Sequence, residues 1–331
     1  MEINDLVGLS EPLKKLISVI AKGLGAISKP YLIKKTADAK AYEIKIIAKA
    51  ISETQSNLKA IDYSDEKIKL HSLDTTLIKA ELELNERTTH RLEYQEQKRQ
   101  QNIEEITQKA ANQINSESEV SNEPVDEDWI TRFFNLARDV SDDELQNLWA
   151  QILSGEVKKP KSYSLRTLEL LKNISKEEAQ LFAKAANFVI SSYNSPFIFK
   201  GDKDEFLEQY NLIFENTLLL TELGLLQAET NITRRLGQQE KDSIIYFESG
   251  HYIIKVEKKG NSPQYNIPIL RFSKVGEQLL KLINITPVEG YLKEFCLSME
   301  SDNLKVEYAY IIRKNVDDTV NHTIPWQKFI R

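Results

Sequence analysis

A glutamate, a serine and an arginine lie close together in the middle of the sequence and could form a hydrolytic site. These are Glu156, Ser164 and Arg166. A nucleophilic serine needs a nearby base and hydrogen-bond donors for the oxyanion, but no histidine occurs between His90 and His251. A serine just ahead of an apolar helical pattern more commonly caps the helix. The sequence therefore favours Ser164 as a helix cap and predicts no catalytic residue here.

The sequence also lacks the motifs that mark the common enzyme classes. It has no phosphate-binding loop, dinucleotide-binding glycine pattern, zinc-protease helix, nucleophile elbow or Cys-x-x-Cys pair. The single cysteine, Cys296, excludes an intramolecular disulfide and a zinc site of several thiolates. The four histidines are scattered. We therefore predict a non-enzymatic protein without metal or cofactor, while an enzyme of unrecognised type stays open as an alternative.

The N-terminal region carries the clearest candidate for contact with a membrane or a partner. Residues 11–49 contain nine lysines and three acidic residues. Apolar residues at helical spacing predict an amphipathic helix at the start of this region. Such a helix either packs on a protein core or lies on an anionic membrane surface, and both alternatives remain open. The candidate contact residues are Leu13, Lys14, Lys15, Leu16, Ile17, Ile20, Lys22, Leu24 and Lys29.

A long polar helix is predicted in the N-terminal half of the chain. Residues 78–114 contain no glycine and no proline, and residues 93–102 are almost all Glu, Gln, Lys and Arg. A helix that is polar all round either bridges solvent or packs against a partner, so we expect a homo-oligomer. Its basic residues could contact nucleic acid, but glutamates interleave with them in the sequence, which disfavours a continuous positive stripe. These basic residues are Arg87, Arg91, Lys98 and Arg99.

Composition and charge divide the chain into segments. The 331 residues suggest about two domains, and the net charge of −6 argues against a general coat for nucleic acid. Residues 115–128 contain six acidic residues and no basic one. We predict a basic helical segment at 1–57, the long polar helix at 66–115, an acidic linker at 116–127, a compact helical module at 128–200 and an α+β domain at 201–331.

The last third of the sequence changes from helical to mixed character. A helix over 211–226 precedes two β-type runs, 244–247 and 252–256, which are joined by a hairpin signal. A third run at 267–272 is followed by a helix that Ser273 caps. The order helix, hairpin, strand, helix is typical of a winged-helix-like unit. The predicted fold class is therefore mainly α, with a smaller α+β C-terminal domain.

A winged helix often reads DNA, which gives an alternative function. The C-terminal unit would then contact phosphates and bases through a recognition helix and a wing. The basicity available for this is modest, so nucleic acid is the less favoured partner. The candidate contact residues are Arg234, Arg235, Lys255, Lys258 and Lys259.

The middle of the chain resembles an uncharacterised bacterial family. Residues 148–156 (LWAQILSGE), then Pro160 and residues 164–168 (SLRTL), are similar to the signature of domain of unknown function 2806. Residues 95–104 and the short runs 29–31 and 37–39 resemble it too. Lys161 departs from the pattern, because the family favours glycine after the proline. The resemblance implies no established chemistry, but it implies a setting among mobile and phage-defence genes.

Together these observations predict a bacterial interaction protein, an effector or sensor in phage defence. It would oligomerise and engage a membrane or a protein partner through the cationic N-terminal helix. The alternative is a DNA-binding transcriptional regulator. No apolar run reaches the roughly 18 residues of a spanning helix, and Glu2 and Asp5 precede the first apolar segment. We therefore expect a cytoplasmic protein, or one held peripherally at the inner membrane.

Overall fold

The chain folds into two units that are each compact in their internal contacts. A computed structural model describes residues 10–24, 75–114, 120–201, 206–229, 231–315 and 319–330. The two units are Met1–Ser162 and Tyr163–Arg331. The division between them falls inside the range 128–200, which was predicted to be one helical module.

The described part of the first unit is helical. Its elements are α1 (Glu11–Leu24), α2 (Thr75–Gln113), α3 (Glu127–Ala137) and α4 (Asp143–Lys158). The predicted amphipathic helix and the predicted long polar helix are therefore both present, as α1 and α2. Most of the expected 1–57 segment and the start of the expected 66–115 helix lie outside the described residues.

The core of the first unit forms around α4. Trp149 of α4 is fully buried and meets the ring of Phe133 at 5.2 Å between centroids. Trp129 stacks on Phe133 from the same helix, α3, at 5.1 Å. Helix α2 packs along α4 through apolar residues that recur every three to four positions. These residues are Ile103, Ile106 and Ala110, all buried.

The second unit combines helices with one antiparallel sheet. Its helices are α5 (Leu165–Asn173), α6 (Lys176–Ala186), a 3₁₀ turn (Glu208–Tyr210), α7 (Phe214–Glu222), α8 (Lys274–Leu280) and α9 (Glu289–Met299). Its strands are β1 (Val189–Ser192), β2 (Ser195–Phe199), β3 (Thr233–Leu236), β4 (Ser243–Ser249), β5 (Tyr252–Lys258), β6 (Tyr265–Arg271), β7 (Leu304–Lys314) and β8 (Val320–His322). The strand order is β3-β6-β2-β1-β4-β5-β7-β8.

The sheet changes the fold class that we predicted. The hairpin β4–β5, strand β6 and helix α8 are all present, so the α+β character of the C-terminal part is confirmed. However, β6 pairs with β2 and β3 rather than lying beside the hairpin, which differs from the small sheet of a winged-helix unit. The described chain is mixed α and β, and "mainly α" was wrong for it.

The hairpin β1–β2 was missed because its local signals were weak. Its two strands lie within 189–199, inside the expected helical module. A proline, Pro196, sits in β2, and prolines usually argue against a strand. The turn residues Tyr193 and Asn194 have φ of 51° and 57°, which two-residue hairpin turns require and which Asn adopts more easily than Tyr.

Helix starts were predicted more reliably. The Ser273 side chain accepts a hydrogen bond from the Gly276 amide, which confirms the predicted cap of α8. Ser175 and Glu178 form a capping box at α6. At α4 the cap is Asp142, whose side chain accepts from the Leu145 amide, and not the neighbouring Ser141. Ser and Asp are equally good caps, and here they are adjacent, so pattern alone could not choose between them.

An aromatic cluster connects α9 to the sheet in the second unit. Tyr291 and Phe295 of α9 are fully buried, as are Phe197 of β2 and Phe247 of β4. The Tyr291 hydroxyl accepts a hydrogen bond of 2.6 Å from the amide of Phe199. Burial is the main cause that raises the Tyr291 pKa well above its ordinary value. The hydroxyl is therefore a neutral structural group that fixes α9 on the sheet.

Candidate interaction surface

The apolar face of α1 is covered by the first unit itself. Leu16, Ile17 and Ile20 are at most 5% exposed, and α1 packs on α3 and α4. Leu13 and Leu24 are half-buried. The face that would enter a membrane is thus already in contact with protein. Of the two alternatives that the sequence left open, the described structure shows the packing arrangement.

The lysines of α1 are held by nearby acceptors. Lys15 Nζ donates to the backbone carbonyls of Ser121 and Glu123, both at 2.8 Å. Partial burial is the main cause that lowers the Lys15 pKa, against the opposing effects of Glu123 and Glu156. The other lysines with partners are Lys14, which pairs with Glu11 at 2.7 Å, and Lys22, which pairs with Glu127 at 3.0 Å. Lys29 lies outside the described residues.

The family-like run in α4 stabilises the turn that follows it. Glu156 is 2% exposed, and its Oε1 accepts a 2.5 Å hydrogen bond from the Lys161 amide. Lys161 has φ of 67°, in the left-handed region that glycine occupies most easily. That geometry gives a physical reason for a glycine after the proline. The Lys161 side chain forms an ion pair with Glu123.

The serine of the same run has a structural role in the second unit. The Ser164 side chain caps α5 by accepting from the Thr167 amide, as predicted. The Ser164 amide donates to Gln278 Oε1 at 2.9 Å, and the Thr167 hydroxyl contacts the same oxygen. Arg166 is exposed. Ser164 is therefore used as a cap and gives no support to a nucleophilic role.

The basic residues predicted to contact DNA do not converge on one surface. Arg234 and Arg235 lie on β3, an edge strand, and not on a recognition helix. Lys255 and Lys258 lie on β5, five strand positions away in the sheet order, which is roughly 24 Å at about 4.8 Å per strand. Lys258 is 2% exposed, and its Nζ donates to Ser262. Lys259 is exposed.

Lys255 is neutralised by two carboxylates of the sheet. Its Nζ lies 2.7 Å from Glu257 and 2.8 Å from Glu307, and 4.8 Å from the ring centroid of Trp326. Burial alone would lower the Lys255 pKa, but the hydrogen bonds to both glutamates raise it. The hydrogen bond from Lys255 is the main cause that lowers the Glu307 pKa. This lysine stabilises the sheet and is poorly placed to bind phosphate.

The longest exposed run in the described helices of the first unit lies in α2, from residue 84 to residue 101. Residues 84–101, the exposed half of α2, are exposed except for Thr88, Gln95 and Arg99, which are half-buried. Leu84, Leu92 and Tyr94 are 54%, 48% and 64% exposed. The polar composition was visible in the sequence. The distribution of these residues around the helix axis follows only once the segment is known to be helical.

Docking of α1 predicts the effect of a methyl group at Gly23. A Cβ there would lie 2.5 Å from Phe134 Cε2 and 2.8 Å from Ile130 Cγ2. Gly23→Ala should therefore destabilise the protein by about 1–3 kcal/mol through overpacking, although alanine favours the helix itself. Urea unfolding followed by tryptophan fluorescence measures this. The control Ser18→Ala, at an exposed position of α1, should change stability little, and a stabilised Gly23→Ala would contradict the docked arrangement.

The Lys255–Glu307 pair predicts a pH dependence of stability. The Glu307 pKa is lower in the folded state than in the unfolded state. The pair therefore stabilises the folded protein at pH values above the unfolded-state pKa of about 4.3, and this stabilisation is lost as the pH falls through the folded-state pKa. Glu307→Gln should lower the free energy of unfolding at pH 7 by roughly 1–2 kcal/mol, and the difference should shrink towards pH 3. Urea titrations at both pH values test this. The control Glu300→Gln, which removes an exposed pair with Lys328, should change the free energy of unfolding little at either pH. A loss of stability in Glu307→Gln that is as large at pH 3 as at pH 7 would contradict the pairing.

Within the described ranges, no helix is both long and apolar enough to span a bilayer. The same residues contain no group of three or more His, Cys, Asp or Glu side chains that could hold a metal ion.

Comparison with curated proteins and with solved structures finds no match. The model of one family, described as protein of unknown function (DUF2806), matches residues 86–296. Since this match covers more than half of the chain and includes the run in α4, the chain belongs to that family.

Proposed function

We propose that the chain is a non-enzymatic interaction protein and that the exposed half of α2 is its contact surface. The observation that carries the proposal is the contrast along one helix. From Asn102 onward, α2 buries residues against the rest of its unit, whereas most of residues 84–101 are exposed to solvent. A polar helix of this length gains little stability by itself in water. The presence of this exposed helical segment is better explained by a contact that it makes with another molecule.

The exposed half of α2 has the properties of a contact element. It continues directly into the packed half of the same helix, so its direction is fixed before any partner arrives, which lowers the entropic cost of binding. It also presents exposed apolar area at Leu84, Leu92 and Tyr94. A tyrosine amid long polar side chains is a frequent anchor at interfaces, because it buries a large ring and keeps a polar tip.

Membrane engagement through α1 is less well supported than contact through α2. It would require α1 to leave α3 and α4 and to expose Leu16, Ile17 and Ile20, which are now buried. Burying such side chains stabilises a fold by about 1.5–3 kcal/mol each. The partner contact that the sequence predicted for α1 is therefore better assigned to α2. A defence role as effector or sensor, and self-association, remain predictions from the resemblance and from the polar helix.

The alternative function, a DNA-binding regulator built on a winged-helix-like C-terminal unit, gains no support from geometry. Its five candidate residues are divided between opposite parts of the sheet order, and Lys255 and Lys258 already have partners. It remains a prediction from the sequence.

A site-specific photo-crosslinker tests the proposed contact surface. A benzophenone amino acid replaces Tyr94 in the full chain expressed in its bacterial host cells, and a second variant carries it at Tyr193, which is 75% exposed in the other unit. We expect covalent adducts of one defined product at position 94, because this position contacts a partner. The product is sized by gel and treated with nuclease or protease to establish its class.

The control position separates contact from simple exposure. Tyr193 has the same residue type and a similar exposure, so it should give no such product. Adducts of equal yield at both positions, or none at position 94, would contradict the proposal that the exposed half of α2 is the contact surface.

A further inference from the structure

The exposed half of α2 separates charges that alternate in the sequence. Arg87, Arg91, Tyr94 and Lys98 follow a 4-3-4 spacing, so at 100° per residue they lie on one side of the helix. Glu86 and Glu93 lie roughly 120° away around the axis by the same geometry. The interleaving that argued against a positive stripe is thus a property of the linear sequence. Once the segment is helical, a basic stripe with one aromatic residue exists.

The cations of this stripe are available for a ligand. Arg87, Arg91 and Lys98 are exposed, and within the described ranges no ion pair involves any of them. Arg99, in contrast, bonds to Glu96 at 2.6 Å and to Asp139 at 2.8 Å, so it belongs to the body of the unit. Glu105, about two turns beyond Lys98 on the same side of the helix, ends the stripe.

We propose that the stripe Arg87–Arg91–Tyr94–Lys98 binds a single strand of nucleic acid. The three cations pair with backbone phosphates, and an unpaired base stacks on Tyr94, whose ring is 64% exposed. From Arg87 to Lys98 the helix rises about 16 Å at 1.5 Å per residue, which is enough to follow several consecutive nucleotides. A basic track with an interposed aromatic ring is the usual chemistry of sequence-tolerant single-strand binding. This inference rests on the proposed function, because it names the partner of the same surface.

The composition of the stripe favours nucleic acid over an anionic membrane. A helix that lies in a membrane interface needs a broad apolar face opposite its cations. Here the two nearest exposed leucines, Leu84 and Leu92, do not form such a face, and the side away from the stripe carries Glu86 and Glu93. The acidic overall charge of −6 also opposes non-specific adsorption to polyanions. Binding must therefore arise locally, from the stripe.

Fluorescence anisotropy of the full-length protein with labelled 20-nucleotide single-stranded DNA and RNA tests the inference. With three phosphate contacts, log Kobs should fall against log salt with a slope of about −2, or roughly 15-fold between 50 and 200 mM salt. The triple variant R87E/R91E/K98E should lose at least tenfold in affinity. Tyr94→Ser should weaken binding about 5- to 100-fold without changing the salt slope, because stacking involves no counterion release.

A matched triple variant controls for net charge. R132E/R166E/K241E changes the charge by the same amount at three exposed positions elsewhere, and it should bind the strands nearly as well as the unaltered protein. Three results would overturn the inference: undiminished binding by the stripe variant, an equal loss in the control, or stripe-dependent binding only to phosphatidylserine vesicles or polyglutamate. A protein-only adduct at position 94 would also overturn it, while leaving the proposed contact surface intact.

Discussion

The burial of one apolar stripe on α2 determines how the first unit is arranged. Ile103, Ile106 and Ala110 pack along α4, and Asn102 marks the start of the buried part by donating to the Arg138 carbonyl at 2.8 Å. Helix α4 in turn carries Trp149 into the aromatic core and Glu156 into the turn that follows. On the N-terminal side of Asn102, where these apolar residues end, α2 is an exposed polar segment. The same contact therefore positions both the core and the proposed contact surface.

Two lysines of the basic region contact the acidic region within the first unit, among the residues that the structure describes. The sequence places excess lysine before residue 50 and excess acid at 115–128. In the structure, Lys22 pairs with Glu127, while Lys15 donates to the carbonyls of Ser121 and Glu123. The segment predicted as an acidic linker thus contacts the basic helix α1. Lysine stems can pack on an apolar face while their head groups reach such acceptors.

Predictions succeeded where the signal was local and failed where it depended on distant neighbours. The helix cap at Ser273 and the hairpin β4–β5 are encoded within a few residues. The position of β6 between β2 and β3 depends on strands about 30 to 75 residues away, and no local pattern records it. The candidate residues on α1 were correctly placed on one amphipathic helix, but whether its apolar face meets protein or lipid depends on tertiary packing. The basic residues of α2 were named from the sequence as possible nucleic-acid contacts but disfavoured, because charges were compared by sequence order rather than by angle around the helix axis.

Within the region that matches the family, residues 86–296, burial distinguishes residues with a structural role from residues that are exposed to solvent. In the run 148–156, Trp149, Ile152 and Glu156 are all buried, and Ser164 caps a helix, so packing and capping suffice to explain these residues. The matched region, however, begins at residue 86 and takes in nearly all of the exposed half of α2, where burial imposes no requirement. A fold needs nothing specific from a solvated helical surface, since surface substitutions usually change stability by less than about 0.5 kcal/mol. Burial and capping therefore account for the run 148–156 but give no reason for the residue types of residues 86–101, where the proposed contact lies.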